Sequence, residues 1–421
     1  MSSLWGRLAG FGGLPVISLT TPLLVLPVVG RVAGVAGWGS LVAGESIGTL
    51  AGIVIAYGWN VAGPPRVAAS PDRADRVRLY RESLVVRGAL AVVTLPVLAV
   101  LCALVAADGF VLPTVFMGVA GAVVGLSFAW YAVGAGDPRS IAVYEAVPRV
   151  VAALAAAGLL LLTRELVLYP LLAVVASIGG VVAFSRRLLA GAEGAWPRVA
   201  DLPRLLVRDK GLAAVDVAGG AYGAVPVPLV NGLSDVAAAG AYASGDKLYK
   251  FGTYVPVSLA NAFQSWTVEA GPGALVRRLR TALLAHALVG AVGWAVLAVA
   301  GPWASGLLFG RDVAAHRDVC VWLGAAFLLA SVRTSMTRHV LVPAGRVRVV
   351  FVSVTAGAVV GVPLIALLTW ALGPVGGALG LLVSEAVATG VLVHPTRQRL
   401  EDLRGATGAA GTRIDDGVVG Q

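Results

Sequence analysis

Ala282–Phe309, ALLAHALVGAVGWAVLAVAGPWASGLLF, contains one ionisable side chain, His286, and is preceded by the basic string VRRLR at Val276–Arg280. A helix rises ~1.5 Å per residue, so an apolar run of this length crosses a hydrocarbon layer of roughly 30 Å. The neighbouring arginines mark one end of the crossing as cytoplasmic, because loops on that side hold the excess of Lys and Arg. Comparable runs recur along the chain. Helices are expected near residues 9–30, 36–58, 85–107, 110–134, 141–163 and 166–185, and again near 211–231, 236–262, 282–309, 318–341, 347–370 and 375–394.

Composition agrees with a membrane solvent. Of 421 residues, 58% are hydrophobic and 13% charged, against about 25% charged in a soluble domain. No soluble domain of any size remains outside the apolar runs. Arg7 precedes the first run, but that run is long and a second follows at once, so it is expected as a retained helix rather than a leader. The formal charge of +10 would suggest nucleic acid in a soluble protein. Here the cations collect in alternate loops: Arg66 to Arg81, Arg186 to Lys210, Arg277 to Arg280, Arg346 with Arg348, and Arg397 to Arg404. That is a topology signal, and nucleic acid is not expected as a partner.

The expected architecture is an all-α membrane protein of about 12 transmembrane helices, with both termini cytoplasmic. Two six-helix lobes, 1–185 and 211–394, are separated by a basic cytoplasmic loop at 186–210 and followed by a disordered cytoplasmic tail at 395–421. Helices 1 and 7 start on the same side, so any repeat is parallel. Pro27–Glu45, PVVGRVAGVAGWGSLVAGE, and Pro228–Asp246, PLVNGLSDVAAAGAYASGD, share a Pro-bearing helix end, a turn, a Gly-plus-aromatic helix start and then an acid.

Catalytic and metal motifs are missing. None of the three lysines lies in a Walker A string, and the four histidines lack HExxH spacing. Cys102 and Cys320 have no partner pattern. Gly44–Gly48, GESIG, matches a nucleophile-elbow pattern, but that motif needs a strand-turn-helix, whereas this one lies within an apolar helix. The chain is not expected to be an enzyme. Glycine pairs at four-residue spacing, such as Gly121 with Gly125 and Gly357 with Gly361, are expected to pack helices closely.

The informative residues are ionisable groups inside the runs, each costly in lipid unless it meets a partner or a wet cavity. Glu45, Asp246, Lys247 and Glu385 fall close to the midplane and Arg333 deeper toward the cytoplasm; Asp216, Glu145 and Arg149 lie in the inner half. Glu145 with Arg149, and Asp246 with Lys250, are one helical turn apart and can pair. Arg149, Lys247, Lys250 and Arg333 are the candidate cations of a substrate cavity, suited to phosphate. Glu45, Asp246, Glu385 and Glu145 are the candidates for coupling or charge pairing, and proton and sodium coupling are both left open; no cofactor or metal is expected. Tyr57, Trp59, Trp130, Tyr131 and Trp266 are expected as belt anchors at the headgroups.

Three segments carry a resemblance. Thr21–Ala68 has a Pro-rich first helix, a Gly-aromatic-Gly turn and a Tyr57-Gly58 element before a basic motif. Ser127–Val150 has an aromatic-Gly helix end followed by arginine, and Ala239–Gln264 contains Tyr-Ala-Ser-Gly-Asp-Lys. In this order the segments resemble polysaccharide flippases of the Wzx type, within the superfamily that includes multidrug exporters and lipid II flippases. The resemblance implies two lobes around a central cavity in the cytoplasmic membrane. It also implies an undecaprenyl-diphosphate-linked oligosaccharide as cargo, moved to the outer leaflet by alternating access. Membrane lipids and other polysaccharide-assembly proteins are the implied partners, and Asp246, Lys247 and Arg149 are the positions that carry over. The alternatives are a multidrug or small-metabolite exporter of the same superfamily, a major-facilitator transporter, and a membrane glycan polymerase or glycosyltransferase using the same lipid.

Overall fold

The computed structural model describes the backbone of residues 4–70, 72–268 and 272–415, and side chains between 25 and 405 with scattered exceptions that include Asp216 and Trp266. Among the described residues there is helix and connecting turn, and no strand. The expected apolar runs fall mainly in helix, with breaks inside those at 110–134 and 211–231. Nine helices are long and apolar enough to cross a membrane among the described residues. Their outward faces carry large apolar side chains open to the surroundings, such as Leu162, Val299 and Trp370 at 83%, 75% and 77% exposure. Water would not tolerate so much apolar surface, and lipid does.

Helix α1 (Leu4–Ala56) is two runs joined at Gly34, whose φ of 62° and ψ of −170° break the helical path. Only glycine adopts that conformation without strain, so the expected turn between the first two runs is a one-residue kink. The short α2 (Trp59–Ala69) follows Tyr57 and Gly58, both left-handed. Helices α3 (Arg73–Val105), α4 (Val111–Ala122), α5 (Ala129–Ala135), α6 (Pro138–Ile141), α7 (Val147–Thr163) and α8 (Leu168–Leu189) come next. The expected fourth run is broken between α4 and α5 by a tight 3-10 turn at Val123–Leu126, and α6 passes into α7 through a π-helical turn at Ala142–Ala146. Helix α9 (Leu202–Ala224) is interrupted before α10 (Pro226–Leu233) by a proline, which has no N–H to give. The chain ends with α11 (Val236–Val268), α12 (Pro272–Phe309), α13 (Arg317–Ser335), α14 (Val347–Leu372) and α15 (Pro374–Asp415).

Helices overrun their apolar runs at the basic ends. Helix α3 starts at Arg73, not near 85, because Asp72 caps it by accepting from the Asp75 N–H at 2.8 Å. Helix α9 starts at Leu202 and α12 at Pro272, and α15 continues to Asp415 through most of the tail expected to be disordered. Hydropathy marks where a helix leaves the hydrocarbon. Arg, Leu, Ala and Glu keep it helical beyond that point.

Contacts divide the chain into two compact units. One comprises residues 16–244 and 304–315, the other residues 1–15, 245–303 and 316–421. In the first, a side chain on Gly48 or Gly52 of α1 would collide with the Gly118 or Gly121 carbonyl, so α1 and α4 pack backbone to backbone. The kinked part of α1 is pinned by Trp38, which donates to Ser244 Oγ at 2.8 Å and stacks on Phe309 at 4.8 Å. Gly39 and Gly240, which occupy equivalent places in the two repeat strings, face each other here: a Cβ on Gly39 would lie 3.4 Å from the Gly240 nitrogen. In the second unit α14 and α15 pack through Gly357 and Gly361, whose missing side chains admit Ser384. Ser384 Oγ donates to the Gly357 carbonyl at 2.7 Å, and Ser353 Oγ to that of Ala388 at 2.6 Å.

Candidate functional site

In the unit formed mainly by α11 to α15, the buried acids Glu385 and Asp246 are each paired with a cation. Arg333 of α13 meets Glu385 of α15 in a two-pronged bond, Nε to Oε2 at 2.9 Å and a terminal nitrogen to Oε1 at 3.2 Å. Their side chains are 19% and 1% exposed. Two parallel bonds match the guanidinium fork to the carboxylate, the arrangement that best offsets removing both charges from water. Arg333, a candidate substrate cation, is thus held by the candidate coupling acid.

On α11, Asp246 is 1% exposed and pairs with Lys250 at 2.7 Å, one turn away and 34% exposed. Lys247 is also buried, at 6%. The same helix carries the string of the third resemblance segment, so a buried acid and two lysines, one buried and one half-buried, stand within two turns.

The same unit assembles something that spacing did not suggest. His286 of α12 and His339, in the π-helical turn Met336–Leu341, have ring centroids 5.5 Å apart. Both are buried. The His286 ring nitrogens face the Ala282 carbonyl at 2.8 Å and the Pro256 carbonyl at 3.2 Å. Separated by more than fifty positions, the two histidines give no local signal. Among the described residues no cluster of three or more His, Cys, Asp or Glu side chains could hold a metal.

In the other unit, Glu145 pairs with Arg149 at 3.0 Å and accepts from Ser127 Oγ at 2.7 Å. The π-helical turn widens the helix at Glu145, and the break before α5 presents Ser127 to it. Glu45 of α1 is half-buried and lies within electrostatic reach of Tyr169 on α8. The expected one-turn pairs Glu145–Arg149 and Asp246–Lys250 therefore form.

Arg87 was missed by the sequence reading, although it lies inside the third apolar run. It is completely buried on α3 and has no acid partner among the described residues. Its guanidinium donates to the carbonyls of Gly125 at 3.1 Å and Ser127 at 2.7 Å, and lies 5.7 Å from the Trp130 ring centre. Those carbonyls are released by the break between α4 and α5, so the arginine satisfies backbone that lipid could not.

The expected belt anchors are largely not a belt. Trp59, Trp130 and Tyr131 are 1%, 3% and 6% exposed and form an internal aromatic cluster with Tyr80, Phe128 and Phe184. Phe128 stacks on Phe184 at 3.9 Å and Tyr80 bonds Ser185 through its hydroxyl at 2.7 Å. Tyr57 bonds the Leu206 carbonyl at 3.1 Å. The break after α4 and the added helix α2 turn these rings inward, which a straight-helix reading could not foresee. Around the cluster, Arg66 of α2 and Arg208 of α9 converge on Asp209, at 2.6 and 3.1 Å, and Arg208 also reaches Glu82 at 2.8 Å. Burial pushes the Asp209 carboxyl up, but the bonds and charges of the two arginines outweigh it and hold it below its ordinary value. Arginines read only as a topology signal are partly structural.

No family model matches the chain, and no curated protein matches it in sequence. Solved structures do. An inward-facing multidrug resistance MATE family transporter of the MOP superfamily superposes with a TM-score of 0.62 at 16% identity, over 91% of this chain and 96% of that one. The lipid II flippase MurJ, in an inward closed conformation, gives 0.66 at 9% identity over 93% and 89%. A MATE transporter in a bent conformation gives 0.53 at 15% identity over 93% and 94%. The chain is a multi-pass helical membrane protein with the fold of the MOP-superfamily transporters.

Proposed function

We propose that the protein is a flippase of the Wzx type, moving an undecaprenyl-diphosphate-linked oligosaccharide from the inner to the outer leaflet of the cytoplasmic membrane by alternating access. In this reading 1–185 and 211–394 are the two six-helix lobes and both termini are cytoplasmic. The observation that carries it is Lys247, a lysine kept at 6% exposure on α11, in the third of the segments that resemble such flippases. A buried ammonium is costly and is kept in membrane helices where it serves a substrate or ion path. A diphosphate is a cargo of opposite charge to this ammonium, and Arg149 is the second phosphate candidate.

The experiment is complementation of a bacterial strain lacking its own polysaccharide flippase, scored by surface polymer and by lipid-linked repeat units trapped in the inner leaflet. The wild-type chain restores polymer, whereas Lys247→Ala abolishes it at near-normal protein abundance. Retained activity in that variant and in Arg149→Ala would remove the phosphate role from both residues.

A second reading, export of a small amphipathic molecule, is favoured by one specific observation. Arg333, Lys250 and Arg149 each carry a carboxylate within 3.0 Å, which reduces the cationic character that a diphosphate requires. Drug efflux by the wild-type chain, with no restored polymer, would select it.

A further inference from the structure

Three connections of the first unit meet around a cavity of about 450 Å3. Arg73 and Arg76 come from the start of α3, Asp137 and Ser140 from the junction of α5 and α6, and Arg187 from the end of α8; Tyr131 and Phe184 of the aromatic cluster also line it. By the loop charges, all three connections lie on the cytoplasmic side. The cavity is a basic recess between helix ends, with Tyr131 and Phe184 of the aromatic cluster among its walls.

Its arginines are incompletely used. A guanidinium has five N–H donors. Arg187 spends one on the Tyr144 hydroxyl at 3.4 Å, Arg76 bonds only the Ser70 carbonyl, and Arg73 reaches the Leu188 and Ala190 carbonyls from one nitrogen. None of the three has an ion pair among the described residues, in contrast to Arg66, Arg149, Arg208 and Arg333. The acids at the rim are engaged. Asp72 caps α3, and Asp137 accepts from the Ser140 N–H at 3.2 Å and its hydroxyl at 2.6 Å. Arg187 and Arg139 both lie within electrostatic reach of Asp137, and with Arg73 and Arg76 the cations here outnumber the acids Asp72 and Asp137. Val133, in the same short helix as Tyr131, is 59% exposed.

We propose that this recess binds a phosphate group, presented either by an anionic lipid headgroup of the adjoining leaflet or by a soluble phosphate. Planar guanidinium groups with free donors are suited to phosphate oxygens, and basic pockets between helix ends on the cytoplasmic side hold anionic headgroups. The site belongs to one unit alone and stands apart from Lys247 and the flippase reading.

The test uses the purified full-length chain in neutral detergent, titrated with dioctanoyl-phosphatidylglycerol, dioctanoyl-phosphatidylcholine and inorganic phosphate and read by native mass spectrometry. Phosphatidylglycerol binds more tightly than phosphatidylcholine, and Arg76→Gln/Arg187→Gln weakens it about tenfold or more, as expected for losing charge-assisted bonds. Arg187→Gln alone gives up the Tyr144 bond and the electrostatic contact with Asp137 and gives a smaller loss, which keeps the test valid if replacing Arg76 disturbs the fold; Arg187→Lys recovers part of it. Saturation by phosphate alone, lost in the same variants, assigns the site to a soluble source, and lipid binding that phosphate cannot displace assigns it to the headgroup. Equal affinity of the wild-type chain and Arg187→Gln for both phosphatidylglycerol and phosphate overturns the proposal.

Discussion

Arg333 and Arg87 are both arginines inside apolar helices, and the structure neutralises them in different ways. Arg333 in one unit faces the carboxylate of Glu385 across a helix boundary. Arg87 in the other faces the Gly125 and Ser127 carbonyls at a helix break. The first is charge against charge, across two helices. The second is charge against backbone dipoles, and it exists because the helix is interrupted. A buried arginine in this protein therefore has no fixed meaning: one closes a pair of helices, the other completes an irregular turn.

The comparison can be broken by removing each partner in turn. Glu385→Leu removes the carboxylate that faces Arg333 and should lower stability by about 3–5 kcal/mol, whereas the double change Arg333→Met/Glu385→Leu should recover most of it. Thermal unfolding in detergent reads both. If the single and double variants melt alike, the pair is not what holds that contact. Arg87→Met frees two carbonyls and should cost about 1–3 kcal/mol for each, with no second substitution able to restore it. Hydrogen exchange at residues 123–129 should rise selectively.

The aqueous counterpart is Asp209, whose carboxyl is held below its ordinary 3.8 by Arg66 and Arg208. A depressed carboxylate gives stability that is fully present above the unfolded value and is lost as pH falls through the folded one. The junction of α2, α3 and α9 should therefore stay protected at pH 5 and above and loosen only below about 3.8. Hydrogen exchange across residues 59–69 and 202–210 checks this, and Asp209→Asn should remove the transition. The smallest effect is expected at Glu145, whose partner Arg149 is 37% exposed. Glu145→Gln keeps the Ser127 contact and should shift stability by about 1 kcal/mol or less. A large loss of protein abundance would show that the π-helical turn depends on the charge.

Much of the fold was legible because lipid imposes a length and a composition on any helix that crosses it. The runs and their order follow from that constraint, and the one-turn pairs Glu145–Arg149 and Asp246–Lys250 need only helical spacing. The Arg333–Glu385 contact was not legible, because its members are 52 residues apart and only the packing of α13 on α15 joins them. The inward turn of Trp59, Trp130 and Tyr131 was hidden for a similar reason. Amphipathic rings at helix ends look alike in sequence whether they face headgroups or one another.

What the sequence determined alone is the solvent: a chain this apolar, with cations in alternate loops, has to be a bundle of helices in a bilayer. Hydropathy acts residue by residue, so it survives the loss of all tertiary information. What only the tertiary structure decided is which buried charges neutralise each other, which carbonyls are left over at the breaks near residues 34, 127 and 225, and which arginines keep donors to spare. Those outcomes depend on distances between segments remote in sequence, and electrostatic energy in a low-dielectric interior is governed by such distances.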